Sequence, residues 1–118
     1  MSGSADQGVL RMAPSAADRR RWVRYPANLG TFWQAVRTGQ EICYSARVQD
    51  ISQGGVRLLV NQRFEPGTLL RILLVKAIEA RLVHATPTPD NQWTLGCEFT
   101  AVLSEQEVQN LLQRGSHL

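Results

Sequence analysis

Between residues 28 and 99 the chain is a series of short apolar runs broken by turn residues. Tyr44, Ala46 and Val48 alternate with Ser45, Arg47 and Gln49, the period of two that a half-buried strand requires, and this strand ends at Asp50. Val56, Leu58 and Val60 resume the period after Gly54-Gly55. Pro66-Gly67 marks a turn, and the run from Leu69 to Val75 behind it is apolar on both parities except at Arg71, as a central strand would be. Ile78 to Ala85 predicts a further strand and Pro87 to Asn91 a hairpin loop. Beyond that loop Leu95, Cys97 and Phe99 face one side, Gly96 and Glu98 the other. The first strand, around Leu29 to Val36, has the least regular alternation. Strands this short, with turn signals every 8 to 12 residues or so, predict an all-β sandwich or barrel.

The period changes at the end of the chain. Ser104 stands where a helix N-cap belongs and Glu107 three residues later, with Leu103 and Val108 spaced as a hydrophobic staple. The pattern predicts a helix over 104–113 and a tail over 114–118. Val108, Leu111 and Leu112 form an apolar stripe wide enough to dock that helix on the β-structure but too narrow for independent stability. At the other end, residues 1–18 are rich in Ser, Ala and Gly and predict a flexible arm. A loop over 19–26 follows, because Pro26 disfavours helix at Tyr25.

With 118 residues, the chain can bury one core, so a single domain is expected. The net charge of +3 comes from arginine: there are twelve, against Lys76 alone. Arg19, Arg20, Arg21 and Arg24 cluster within six residues, and only this cluster calls for a planar anionic partner that guanidinium can grip bidentately. Cys43 and Cys97 lack CxxC spacing and fall in strand-like segments, which predicts buried, reduced thiols. Nothing in the sequence is apolar enough for long enough to span a bilayer, and the N-terminus lacks the order of a secretory signal, so a cytoplasmic protein without membrane insertion is expected. His84 and His117 have no carboxylate or cysteine spaced to build a metal site or a triad, and no serine sits in GxSxG. Neither a metal, nor a cofactor, nor an enzyme is expected.

Two motifs carry functional information. Arg20-Arg21-Trp22-Val23-Arg24 contains RxxxR, and Asp50-Ile51-Ser52-Gln53-Gly54-Gly55 contains DxSxxG at a strand exit. Each alone is common, and the second also reads as an Asx-turn joining two strands. Together, ahead of Trp93-Thr94-Leu95-Gly96-Cys97-Glu98-Phe99, they resemble the PilZ family of bacterial cyclic di-GMP receptors, over residues 19–113. The resemblance implies a small antiparallel barrel of about six strands with a C-terminal helix, and cyclic di-GMP as the ligand.

By that resemblance Arg20 and Arg24, the one pair in the cluster with RxxxR spacing, serve the Hoogsteen edge of a guanine and a phosphate, with the division between them open. Asp50 accepts from guanine N1–H and the N2 amino group. Ser52 adds a hydroxyl contact or holds the turn. Gly55, with Gly54 beside it, is expected to bend with positive φ and let the backbone approach the ligand. An arginine preceding the first motif arginine is associated in the family with an intercalated ligand dimer, the role that falls to Arg19. Trp22 is left outside the site, and Gly96 matches a family glycine expected to serve close packing.

The implied function is a receptor whose arginine loop orders on binding. Its effect would be exerted on a protein partner in trans, or on a fused domain of a longer protein, in contexts such as motility, exopolysaccharide synthesis or biofilm formation. A PilZ-fold protein-interaction module that needs no nucleotide is the first alternative. A small barrel binding a nucleic-acid polymer is the second, disfavoured because the eight aromatic residues are dispersed.

Overall fold

The computed structural model describes residues 22–36 and 42–116. Within them lie β1 (Tyr25–Ala35), β2 (Tyr44–Ile51), β3 (Gly55–Val60), β4 (Leu69–Leu73), β5 (Ala77–Pro87), β6 (Trp93–Phe99) and α1 (Glu105–Ser116). Neighbouring strands are antiparallel and close into a barrel in the order β1-β2-β3-β6-β5-β4. Closure leaves no sheet edge, which is how a small all-β chain avoids pairing with other chains.

The inward parity of each strand fills the barrel. Trp33, Val48, Leu58, Leu70, Ile72, Leu82, Leu95 and Phe99 are buried in a single cluster. One end of the barrel, where β1 and β3 end and β2 and β4 begin, is closed by aromatic packing: Trp33 stacks on Tyr44 at 4.8 Å and meets Phe64 edge-on at 4.5 Å between ring centroids. The opposite end is closed by α1. There Leu103, Val108 and Leu111 are buried against the cluster.

The capping box forms as its residues require. Ser104 Oγ accepts from Glu107 N–H at 3.0 Å, and Glu107 Oε1 accepts from Ser104 N–H at 2.8 Å. Lys76 in the β4–β5 turn adds an ion pair to Glu107 at 2.8 Å. These bonds hold the Glu107 carboxyl well below the usual carboxylate range, at about 2, the Lys76 hydrogen bond being the largest cause.

Several boundaries differ from expectation. α1 continues to Ser116 rather than ending at 113, with Arg114 in the last turn where the helix dipole favours a cation. β1 begins at Tyr25, so Tyr25 and Pro26, expected in the arginine loop, are strand, and the barrel starts before residue 28. Pro26 is tolerated because β1 pairs only with β2 at that point, across an irregular register between Pro26 and Leu29. Cys43 is exposed just before β2 and is not the buried thiol expected, whereas Cys97 is buried. The arm over 1–18, along with Arg19, Arg20, Arg21 and His117, lies outside the described residues.

Candidate functional site

β2 reaches the helix-side end of the barrel at Asp50, and the strand is irregular there. The register with β3 shifts between Val48 and Asp50, so that Asp50 faces Arg57 directly and Ile51 faces Val56. Arg57 Nε lies 3.0 Å from Asp50 Oδ2. From the residue just before β1, Arg24 Nη1 reaches the other oxygen, Oδ1, at 3.2 Å. One carboxylate is thus gripped on both oxygens by two arginines, one just before β1 and one on β3, the two strands that flank β2. Its side chain is 16% exposed, while Arg24 and Arg57 are 48% and 45% exposed. Pairs this open contribute about 0.2–1 kcal/mol each to stability. Their larger consequence is positional: Asp50 is aimed, and both guanidinium groups keep unused donors facing solvent.

The loop after Asp50 is held by Ser52. Its buried Oγ accepts from the backbone N–H groups of Gly54 and Gly55, both at 3.2 Å, and its own N–H donates to the Gly55 carbonyl at 2.9 Å. Of the two roles open to Ser52 in the sequence, holding the turn is visible here. Gly55 and Gly54 do not have the positive φ expected of them; among the described glycines only Gly67 does. The requirement at Gly55 is close approach instead, because a Cβ there would collide with the carbonyl oxygen of Cys97 across the β3–β6 ladder.

A cavity of about 320 Å3 opens on this wall, over the outer face of β3, β6 and β5. Arg24, Ser52, Gly55 and Arg57 line one side; His84, Thr86, Thr94 and Gly96 line the other. Of the residues expected from sequence, Arg24, Ser52 and Gly55 line this cavity, Asp50 is joined to it through its ion pairs with Arg24 and Arg57, Gly54 lies in the loop that Ser52 holds, and Arg19 and Arg20 lie outside the described residues. Among the described residues no group of three His, Cys, Asp or Glu side chains could hold a metal ion. No described helix is long and apolar enough to cross a membrane.

The sequence matches the family profile of the PilZ domain over residues 18–116. The chain belongs to the PilZ domain family. Solved PilZ structures are similar to it: the PilZ domain of YcgR from Escherichia coli, determined with c-di-GMP, aligns over 84% of this chain and 92% of that one at 19% identity, with a TM-score of 0.57. The Bacillus subtilis inhibitor of motility MotI/DgrA aligns over 88% of this chain and 55% of its own, at 21% identity and TM-score 0.57. MrkH from K. pneumonia, in complex with c-di-GMP, aligns over 81% and 50% at 17% identity and TM-score 0.51. At these identities the likeness is one of fold. This chain spans about half of the MotI and MrkH chains. No curated protein matches the sequence.

Two residues that line this cavity, Arg57 and His84, were not singled out from the sequence of this PilZ domain. Arg57 was legible in principle, since a hairpin folded about Gln53-Gly54 sets residues 50 and 57 opposite one another. His84 was not, because its outward direction depends on a bulge in β5. Two further links tie the motifs to α1. Tyr25 donates its hydroxyl to Glu105 at 2.6 Å, which raises the phenol's pKa and lowers that of the carboxyl. Gln53 brackets Leu103: its side-chain amide donates to the Leu103 carbonyl at 3.1 Å and its own carbonyl accepts from Leu103 N–H at 2.9 Å.

Proposed function

We propose that this PilZ domain is a cyclic di-GMP receptor that acts by binding rather than by catalysis. The observation that carries the reading is the Asp50 carboxylate held between Arg24 and Arg57 at the rim of the β3–β6–β5 cavity. That juxtaposition supplies an acceptor for a guanine N1–H and N2 amino group beside donors suited to guanine O6, N7 and phosphate. In the free protein Arg24 occupies one Asp50 oxygen. A guanine edge takes its place there, and Arg24 turns to the ligand, so one charge-assisted bond is exchanged for another and neither group is left unpaired. Arg57 keeps the second oxygen and with it the direction of the carboxylate.

Arg20 joins Arg24 in gripping the dinucleotide, Ser52, Gly54 and Gly55 shape the loop it rests on, and Arg19 offers a stacking surface if a ligand dimer binds. Capture of two arginines by one ligand fixes the arginine segment against the barrel. That change in position is what a partner in trans, or an attached domain, would read.

Isothermal titration calorimetry with cyclic di-GMP, against cyclic di-AMP and GTP, tests this. Guanine-selective binding to the dinucleotide is expected, with a molar ratio that reports one ligand or an intercalated pair. Absence of heat with every nucleotide would overturn the receptor reading in favour of a protein-interaction module.

A further inference from the structure

β5 does not keep strict alternation. Ile78, Ala80 and Leu82 are buried, and a regular strand would turn the next even-numbered residue, His84, inward as well. The register with β6 shifts between Leu82 and His84: Leu82 faces Cys97, His84 faces Gly96, and Ala85 faces Leu95. The extra residue, Val83, absorbs the shift, and His84 emerges on the outer face. It emerges over the one position in β6 that has no side chain. A Cβ at Gly96 would lie 2.5 Å from His84 Cε1 and 2.7 Å from Nε2, so the imidazole occupies the space that any other residue at 96 would fill.

A ring in this position is exposed yet seated. One side rests on the Gly96 backbone; the rest lies in the wall of the cavity that Arg24, before β1, and Arg57, on β3, border from the other side. Covering an exposed strand glycine with a cross-strand aromatic ring is a structural service in itself. Here the same ring is brought to the cavity by a bulge, and bulges commonly re-aim a side chain beside a functional site. A planar group entering between the arginines and β5 meets the imidazole, and a seated ring loses little freedom when it stacks.

The geometry points to His84 as a base-stacking residue, the platform on which a purine of the bound nucleotide lies, with Gly96 as its seat. This rests on the receptor reading above and adds to it a specificity-determining contact on β5, across the cavity from both motifs. Purine stacking on an aromatic side chain tolerates exchange of one ring for another. It does not tolerate loss of the ring or of its seat.

The test combines calorimetry with proton NMR of the histidine C–H signals. The chain has two histidines, His84 and His117, so assignment needs one variant. In the wild type, cyclic di-GMP is expected to move the His84 C–H signals upfield by ring current and to leave those of His117 in place. His84→Ala should weaken binding about tenfold, and His84→Phe should recover most of the loss. Gly96→Ala should weaken binding as His84→Ala does by displacing the ring, and the double variant should be no worse than either single one, since both remove the same contact. A purely structural cover predicts otherwise: stability changes in urea with affinity intact. Wild-type binding with unmoved His84 signals and unchanged affinity in His84→Ala would overturn this assignment and leave the receptor reading standing. Failure of the wild type to bind at all would remove both.

Discussion

Among the described residues, a cavity opens on the outer wall of this barrel on either side of β3. The larger, about 490 Å3, lies over β1, β2 and β3 and is lined by Gly30, Phe32, Arg47, Leu59, Asn61 and Gln92 among others. Its arginine, Arg47, donates to the neutral Asn28 at 2.8 Å. The smaller, about 320 Å3, has two arginines converging on one carboxylate, a clamped loop and a seated histidine. The larger space is thus the one with fewer charged groups brought together. What distinguishes the smaller cavity is convergence of donors and acceptors that the fold holds in place before any ligand arrives.

The glycines of the two walls give the sharpest contrast. A Cβ at Gly55 would collide with backbone of β6, whereas one at Gly30 would meet nothing within 4 Å. Gly55→Val should therefore lower unfolding stability by about 3 kcal/mol or more, while Gly30→Ala should stay within about 0.5 kcal/mol of wild type. Urea denaturation of both measures this; comparable losses would mean that the two walls are equally constrained.

Next in size are the charged groups. Arg24→Ala and Arg20→Ala should each cost about 1–3 kcal/mol of cyclic di-GMP binding, whereas Arg47→Ala on the other wall should cost nothing measurable. Asp50→Ala should damage discrimination of guanine from adenine dinucleotides more than it damages overall attraction. Arg19→Ala should change the molar ratio. Affinity retained in both motif arginine variants would detach the site from the motifs.

The smallest effect concerns α1, which closes the barrel beside the site. The Glu107 carboxyl is held at about 2, below its ordinary value of 4.5. A carboxyl depressed in the folded state adds stability above its unfolded pKa and loses it as pH falls through the folded one. Stability should therefore decline as pH drops from about 4.5 towards 2, with Glu105, lowered by its bond to Tyr25, acting in the same direction. In Lys76→Met this part of the decline should shrink, as thermal melts across that range would report.

The legible parts of this protein were those governed by residues near one another in sequence. The alternation in β2, β3 and β6 and the capping box at Ser104 and Glu107 are local, and each produced the element it predicted. The pairing of the motifs identified the family because Asp50, Ser52 and Gly55 are fixed by a single loop. Positions set by pairing between distant strands were harder to read. His84 faces the cavity only because β5 bulges against β6, and a bulge at Val83 leaves no mark when the next inward residue is alanine. The glycine reading failed for a related reason: Gly55 is required by the nearness of the Cys97 carbonyl, a contact between β3 and β6, and not by its own dihedral angles. Tyr25 passed as the end of a loop, yet its hydroxyl reaches Glu105 from across the chain.

The most direct test of this account is a titration of the isotopically labelled protein with cyclic di-GMP, following its backbone amide signals. The large changes should gather at Ser52, Gly55, Arg57, His84 and Gly96, while Gly30, Phe32, Arg47 and Asn61 on the larger cavity stay still. Large changes confined to that second group, or none anywhere at saturating nucleotide, would contradict it.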